Sequence, residues 1–172
     1  MGSASLVALL AGCATPRVET VPMVPDSLKV PATQTLSLET HATGVQIYDC
    51  KLNKGDPTRF EWVFKAPEAD LFDPAGKKIG KHYAGPTWES NDGSKAVGEV
   101  KARDDGPDVN AIPWLLLSAK STSGVGVLGQ TVSVQRVQTV GGQAPVGGCS
   151  PAQAGKEVRV PYSAAYYFYV LR

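Results

Sequence analysis

Phe60-Glu61-Trp62-Val63-Phe64-Lys65 decides the fold. Phe60, Trp62 and Phe64 fall on one face and Glu61 and Lys65 on the other, which is the two-residue period of a half-buried β-strand. Ala96 to Arg103 repeats the pattern, with Ala96, Gly98, Val100 and Ala102 inward and Glu99, Lys101 and Arg103 outward. Thr131 to Val137 alternates and then slips phase between Val134 and Val137, which predicts a β-bulge. Ile112 to Leu117 is a continuous apolar run, as expected of a strand covered on both faces. Ala164 to Leu171 reads as an aromatic-rich terminal strand, and Val45–Cys50, Ala69–Phe72 and Glu157–Val160 as shorter ones. Turn signals separate them: Asn53–Pro57, Asp73–Gly76, Asn91–Gly93, Asp104–Pro107 and Gly147-Gly148. No stretch long enough for a helix keeps a helical period. The expectation is an all-β chain: a single antiparallel β-sandwich or barrel over residues 32–172.

Composition agrees. Gly (18) and Pro (13) are abundant in 172 residues, which suits many short strands and turns. A hydrophobic share of 42% is globular rather than disordered. The net charge of +1 argues against a nucleic-acid binder and against a polybasic membrane surface. No internal repeat is visible.

The N-terminus gives an address. A short apolar run, Leu6 to Ala11, leads into Leu10-Ala11-Gly12-Cys13, the pattern of a bacterial lipobox, in which the signal is cut before Cys and the Cys is lipidated. The run is far shorter than the roughly 20 residues of a membrane-spanning helix. Residues 1–5 carry no Lys or Arg, whereas a signal begins with a positive segment, so residues 1–12 are expected to be a signal-peptide remnant. Residues 13–31, with Pro16, Pro22, Pro25 and Pro31, are expected to form an extended tether. With Cys13 as the anchor, Cys50 and Cys149 remain, and an even pair in an exported protein predicts a disulfide. The expected localisation is the cell envelope, as an outer-membrane lipoprotein facing periplasm or exterior and touching membrane through its lipid only.

Several motifs resemble those of a known family. They are Gly44-Val45-Gln46-Ile47-Tyr48-Asp49-Cys50, the Phe60–Phe64 strand with Ala66 to Asp73, and His82-Tyr83-Ala84-Gly85-Pro86-Thr87-Trp88-Glu89. Asp92-Gly93-Ser94, Ile112-Pro113-Trp114-Leu115-Leu116, Val134 to Val137 with Thr139 to Gly142, and Val160 to Ala164 with Tyr166 to Tyr169 follow in order. From about residue 28 onward the chain is similar to the bacterial and fungal secreted family catalogued as domain of unknown function 3455. The resemblance implies export and an all-β domain, and it transfers no catalytic residue.

The residues that could carry chemistry are few. Gly124-Val125-Gly126-Val127-Leu128-Gly129 matches a dinucleotide fingerprint, but a β-branched stretch follows where a helix is required, so it reads as a loop. No G-x-S-x-G elbow is present. Asp104, Asp105 and Asp108 sit in a Gly-Pro turn without the spacing of a calcium loop and read as turn caps, so no metal or cofactor is expected. Arg136 shares its parity with Val132 and Val134, and a charge on an apolar face needs a partner. A structural salt bridge with an acid such as Asp49 is the favoured reading. His82, Tyr83, Trp88, Glu89 and Asp92 concentrate the most functional chemistry and are the candidate ligand-binding residues, with Trp88 expected to be at least half buried and binding expected to rest on Tyr83 and its polar neighbours. The expected function is a non-enzymatic module binding a small molecule, a glycan or an envelope protein. Two alternatives stand beside it: an extracytoplasmic hydrolase using His82 with a nearby carboxylate, and a structural envelope protein.

Expressed behind a complete signal, the protein should incorporate palmitate and partition into detergent, and Cys13→Ser should abolish both. Label retained by Cys13→Ser would exclude the anchor.

Overall fold

The computed structural model describes residues 21–172. Cys13 and the lipobox lie outside them. Eight strands form a closed antiparallel barrel in chain order: β1 (Gln34–Leu52), β2 (Phe60–Phe72), β3 (Lys78–Tyr83), β4 (Thr87–Ser90), β5 (Lys95–Asp104), β6 (Trp114–Ser123), β7 (Ser133–Gly141) and β8 (Glu157–Leu171). β8 returns to β1 along a ladder from Gln34↔Leu171 to Asp49↔Glu157, so the sheet has no free edge along that seam. Of the two architectures expected, the chain takes the barrel. No helix among the described residues is long and apolar enough to cross a membrane.

Alternation fills the interior as the sequence predicts, except at the end of β5, where a bulge between Val100 and Ala102 pairs Ala102 with Leu116 and Arg103 with the inward Leu115, so Ala102 leaves the inward parity expected of it. Ala96 and Gly98 of β5, Leu117 of β6, Val134 of β7 and Tyr166 and Phe168 of β8 are buried there with Ala42, Leu71 and Trp88. The two apolar segments Phe60–Lys65 and Ala69–Phe72 are one strand, β2. A bulge against Ile47/Tyr48 shifts its phase, pairing Tyr48 with Phe64 while Gln46 pairs with Pro67. One extra residue thus keeps Phe64 on the side of Pro67 and Leu71. The slip predicted in β7 occurs slightly later, between Val137 and Val140, where Gln138 takes a positive φ of 51°. Gly44 is required in β1, because a β-carbon there would collide with the Glu68 carbonyl and with Ala69 across the strand pair.

A second apolar layer covers part of the outer wall. The segment before β1 makes a 3-10 turn, Asp26–Leu28, that lies against β5 and β6, and Leu28 is fully buried. Val24 and Val30 pack with Trp114 against Val137, Ala165, Tyr167 and Tyr169. Gln135 ties this layer down, donating to the Leu28 carbonyl (2.6 Å) and accepting from the Tyr169 hydroxyl (2.6 Å). The described end of the segment expected as a tether is therefore anchored on the barrel. The Ile112–Leu117 run is covered on both faces, with Leu115 and Leu117 inside and Trp114 under the N-terminal segment.

The two ends of the barrel differ. At one, the β6–β7 connection folds in and places Leu128 in the core. At the other, the short β3 and β4 make a low stretch of wall. β2 pairs with β3 only from Ala69 onward, and β5 pairs with β4 only up to Val97, so a notch opens between Phe64–Pro67 and Val100. β1, β2 and β8 run on past this notch. The predicted Cys50–Cys149 disulfide is present and bolts the β7–β8 connection to that extension, beside the Phe60↔Cys149 bridge and the Cys50 N–H bond to the Lys156 carbonyl (2.8 Å).

The bridge closes a loop of 99 residues in sequence. Cys149→Ser should therefore lower unfolding free energy in urea by about 2–5 kcal/mol, with the protein still cooperative. An unchanged midpoint would show that the bridge contributes nothing to the fold.

Candidate functional site

Beneath the notch lies a cavity of about 240 Å³ inside the barrel. Its walls are mainly apolar: Trp88, Leu115 and Leu117 below, Pro67 and Pro86 at the side, and Phe64 and Val100 at the lip. Phe64 and Val100 are each 52% exposed, so the rim presents apolar surface to solvent. Gln46, His82, Arg136 and Tyr166 supply the polar side.

The floor is an aromatic cluster. His82 on β3 and Trp88 on β4 are a cross-strand pair, and their rings stack at 4.7 Å with an 11° interplanar angle. Tyr166 and Phe168 meet the Trp88 ring edge-on at 5.4 and 5.8 Å, a favoured aromatic geometry. Trp88 is 1% exposed, which meets the expectation of burial. Gly98 makes room for it: a β-carbon there would lie 2.8 Å from the indole and 3.0 Å from Leu117.

His82 Nδ1 lies 2.9 Å from the Thr87 carbonyl, which can only accept, so Nδ1 carries the proton and Nε2 is left as an acceptor. Burial, with Arg136 adding repulsion, pushes the His82 pKa down to about 3. The imidazole is neutral at physiological pH.

The remaining polar atoms share one property. Gln46 Nε2, Trp88 Nε1, Tyr162 Oη and Tyr166 Oη are buried and none makes a well-aligned hydrogen bond among the described residues, although Tyr162, just behind the cavity wall, approaches Gln46 and Tyr166, and Tyr166 approaches Arg136. Burial raises the pKa of both tyrosines, so they stay protonated. All four atoms can donate. Arg136 faces inward, as its parity predicts, but the expected salt bridge with Asp49 does not form. Asp49 pairs instead with Lys51 and Lys65, both at 3.3 Å. The guanidinium donates Nε and Nη2 to one neutral acceptor, the Pro113 carbonyl, at 3.1 and 2.8 Å. The bulge that could have turned Arg136 outward lies beyond it in β7.

The structure divides the five expected ligand-binding residues. His82 and Trp88 line the cavity. Tyr83 and Glu89, one residue further along each strand, are on the outer wall, where the Tyr83 hydroxyl donates to Glu89 (2.8 Å) and Lys81 and Lys95 flank that carboxylate at 3.6 and 3.3 Å. These donors and cations lower the Glu89 pKa. Asp92 is at the opposite, closed end. It accepts from Ser94 N–H (2.8 Å), Ser94 Oγ (2.6 Å) and Val127 N–H (2.9 Å), which lowers its pKa to about 2. Ser94 Oγ in turn accepts from Leu128 N–H (3.1 Å), so Asp92 organises the loop that carries the Leu128 plug. The Gly-rich Gly124–Gly129 stretch is thus a loop held by Asp92 and Ser94, with no helix after it. Asp104 and Asp108 accept from Gly106 and Asn110 N–H at 2.8 and 2.9 Å, acting as turn caps, and Asp105 pairs with Arg103.

Gln46, Tyr162 and Tyr166 were not singled out by sequence. Their signal was available: each is a polar-tipped residue on inward parity in a strand whose inward neighbours are Ala42, Ala164 and Phe168.

A neutral, buried His82 makes stability depend on pH. Its folded pKa lies below the unfolded value of 6.5, so its contribution is complete above that pH and falls as the unfolded chain takes up a proton, down to about pH 3. The stability advantage of wild type over His82→Gln should therefore narrow by a few kcal/mol between about pH 7 and about pH 4. An advantage constant with pH in urea titrations would contradict the buried neutral imidazole.

Neither a curated protein nor a solved structure matches the chain. A family match spans residues 31–170, from just before β1 to nearly the end of β8. The match thus covers nearly the whole barrel, and the chain belongs to the family described as Protein of unknown function (DUF3455).

Proposed function

We propose that the chain is a binding module that takes one small molecule with a compact apolar body through the notch into the barrel. The observation that carries this reading is the cavity itself: apolar walls converging on buried polar atoms that the protein leaves without well-aligned partners. Buried polar groups are otherwise almost always satisfied. An eight-stranded barrel is just wide enough to be filled by side chains or to hold one small ligand. At about 240 Å³ the space lies somewhat below the range of about 300 to 1,000 Å³ of drug-sized ligand pockets, so only a small ligand fits.

The hydrolase alternative needs a carboxylate beside His82. No Asp or Glu lines the cavity among the described residues, and alternation directs Glu89 away from it. Envelope localisation is part of the proposal. The disulfide supports an oxidising compartment, and the Leu10–Cys13 motif supports a lipid anchor. Ion pairs on the outside, including Lys78–Asp70 (2.7 Å) and Arg159–Glu68 (2.8 Å), support a water-facing wall, because a membrane barrel carries an apolar band there.

Toluene, benzyl alcohol, phenylacetamide and phenylacetate are suitable first probes. Titrated at millimolar concentration into the ¹⁵N-labelled, disulfide-bonded protein, at least one should shift the Trp88 Nε1–H and Gln46 side-chain amide resonances. Val100→Trp, which fills the lip without touching the core, should suppress those shifts. If no probe moves either resonance, or if the shifts gather around Tyr83 and Glu89 on the outer wall, the cavity is not the site.

A further inference from the structure

We propose that the ligand of this cavity is a small monocarboxylate, its carboxylate held by Arg136 together with Tyr166 and Gln46 and its apolar body resting on Trp88 and Leu117. The inference rests on the cavity being the binding site and specifies the chemistry it selects.

The polar side of the cavity is unbalanced. Arg136 and Trp88 Nε1 can only donate, and Gln46 Nε2 and the Tyr166 hydroxyl are donors lacking a well-aligned acceptor. The chain places no acidic side chain among the lining residues described. Lys65, the other cation at the rim, already has counter-ions in Asp49 (3.3 Å) and Glu157 (2.8 Å). Arg136 has none within 4.0 Å among the described residues: both of its hydrogen bonds go to the neutral Pro113 carbonyl. Arginine cannot shed its proton, and an inward-facing charge without a counter-charge is costly. Its field reaches Tyr48, His82, Tyr162 and Tyr166, all at this end of the barrel. An entering anion would supply the missing counter-charge and acceptors for the orphaned donors in one step. The acceptor His82 Nε2 stays neutral and does not oppose it.

The anion is a carboxylate on grounds of shape and size. Pro113 occupies the Nε/Nη2 edge of the Arg136 guanidinium, and the remaining Nη1/Nη2 edge of this planar group matches two coplanar oxygens. The remaining walls are hydrocarbon and aromatic, and the small volume leaves room for a single ring or a short branched chain.

The test compares phenylacetate with its neutral isostere phenylacetamide by isothermal titration and by shifts at Trp88 Nε1–H. Phenylacetate should bind at least about tenfold more tightly, and added NaCl should weaken it more than the amide. Arg136→Gln should weaken phenylacetate at least about tenfold and phenylacetamide by less, so that the preference is lost. Tyr166→Phe removes one hydroxyl while keeping the ring and should weaken phenylacetate more than phenylacetamide, which keeps the proposal testable if Arg136→Gln misfolds. Equal affinities for the two probes in wild type, with the Val100→Trp block intact, would overturn the carboxylate and leave the cavity standing. If neither binds while toluene or benzyl alcohol still shifts Trp88 Nε1–H, the carboxylate falls alone; if none of the four binds, both fall.

Discussion

The Trp88 indole stands inside the barrel with His82 stacked on one face and the edges of Tyr166 and Phe168 against it. Four strands contribute to that contact or yield to it: β3 gives His82, β4 Trp88, β8 the two aromatics, and β5 the absent side chain of Gly98. A ring of this size spans much of an eight-stranded interior. Below it the barrel is filled by small and branched residues and the Leu128 plug; above it the space is open. The cluster therefore divides packed core from cavity, and it fixes the depth at which any ligand would stop.

The same contact sets the electrostatics. Burial against Trp88 keeps His82 neutral, and the Thr87 carbonyl fixes its tautomer. The tyrosine hydroxyls at this level stay protonated because burial disfavours the phenolate. Arg136 is thus the one permanent charge among these inward-facing groups. On the outer wall the arrangement is the opposite, since Lys and Glu residues satisfy one another in small networks such as Lys81, Lys95 and Glu89. Solvent screens those pairs and makes each worth little. Charge is thus paired on the outer wall and left without a counter-charge inside.

The notch follows from strand length. β3 and β4 have six and four residues while β1, β2, β5 and β8 run longer, so the wall dips at their hairpin. Pro67, which cannot donate to a ladder, is tolerated in β2 because it lies past the last β2–β3 pair, at Ala69. The disulfide braces the long strands on the far side of the opening.

Strand existence was legible in the sequence, and so was phase over Phe60–Phe64 and Ala96–Val100, because a two-residue period is local and is imposed by burial on one face; the bulge that reverses Ala102 and Arg103 was not, because it is set by pairing with β6. The partnership of Cys50 and Cys149 and the inward parity of Arg136 were legible for similar reasons of count and spacing. The identity of Arg136's partner was not. Its acceptor, Pro113, is 23 residues away, and the acid expected to pair with it was taken by Lys51 and Lys65. Nor could sequence divide His82 and Trp88 from Tyr83, Glu89 and Asp92. Cross-strand register decides which neighbours in a hairpin share a face, and a one-residue slip would exchange them. Sequence by itself determined that the chain alternates, turns and closes one covalent loop, since these depend on residues near one another or on simple pairing. Only the tertiary structure decided that the sheet closes into a barrel and that Gln46, Trp88, Arg136 and Tyr166 meet in one cavity. Closure is a property of all eight strands and their bulges together, and it brings together side chains that no local pattern relates.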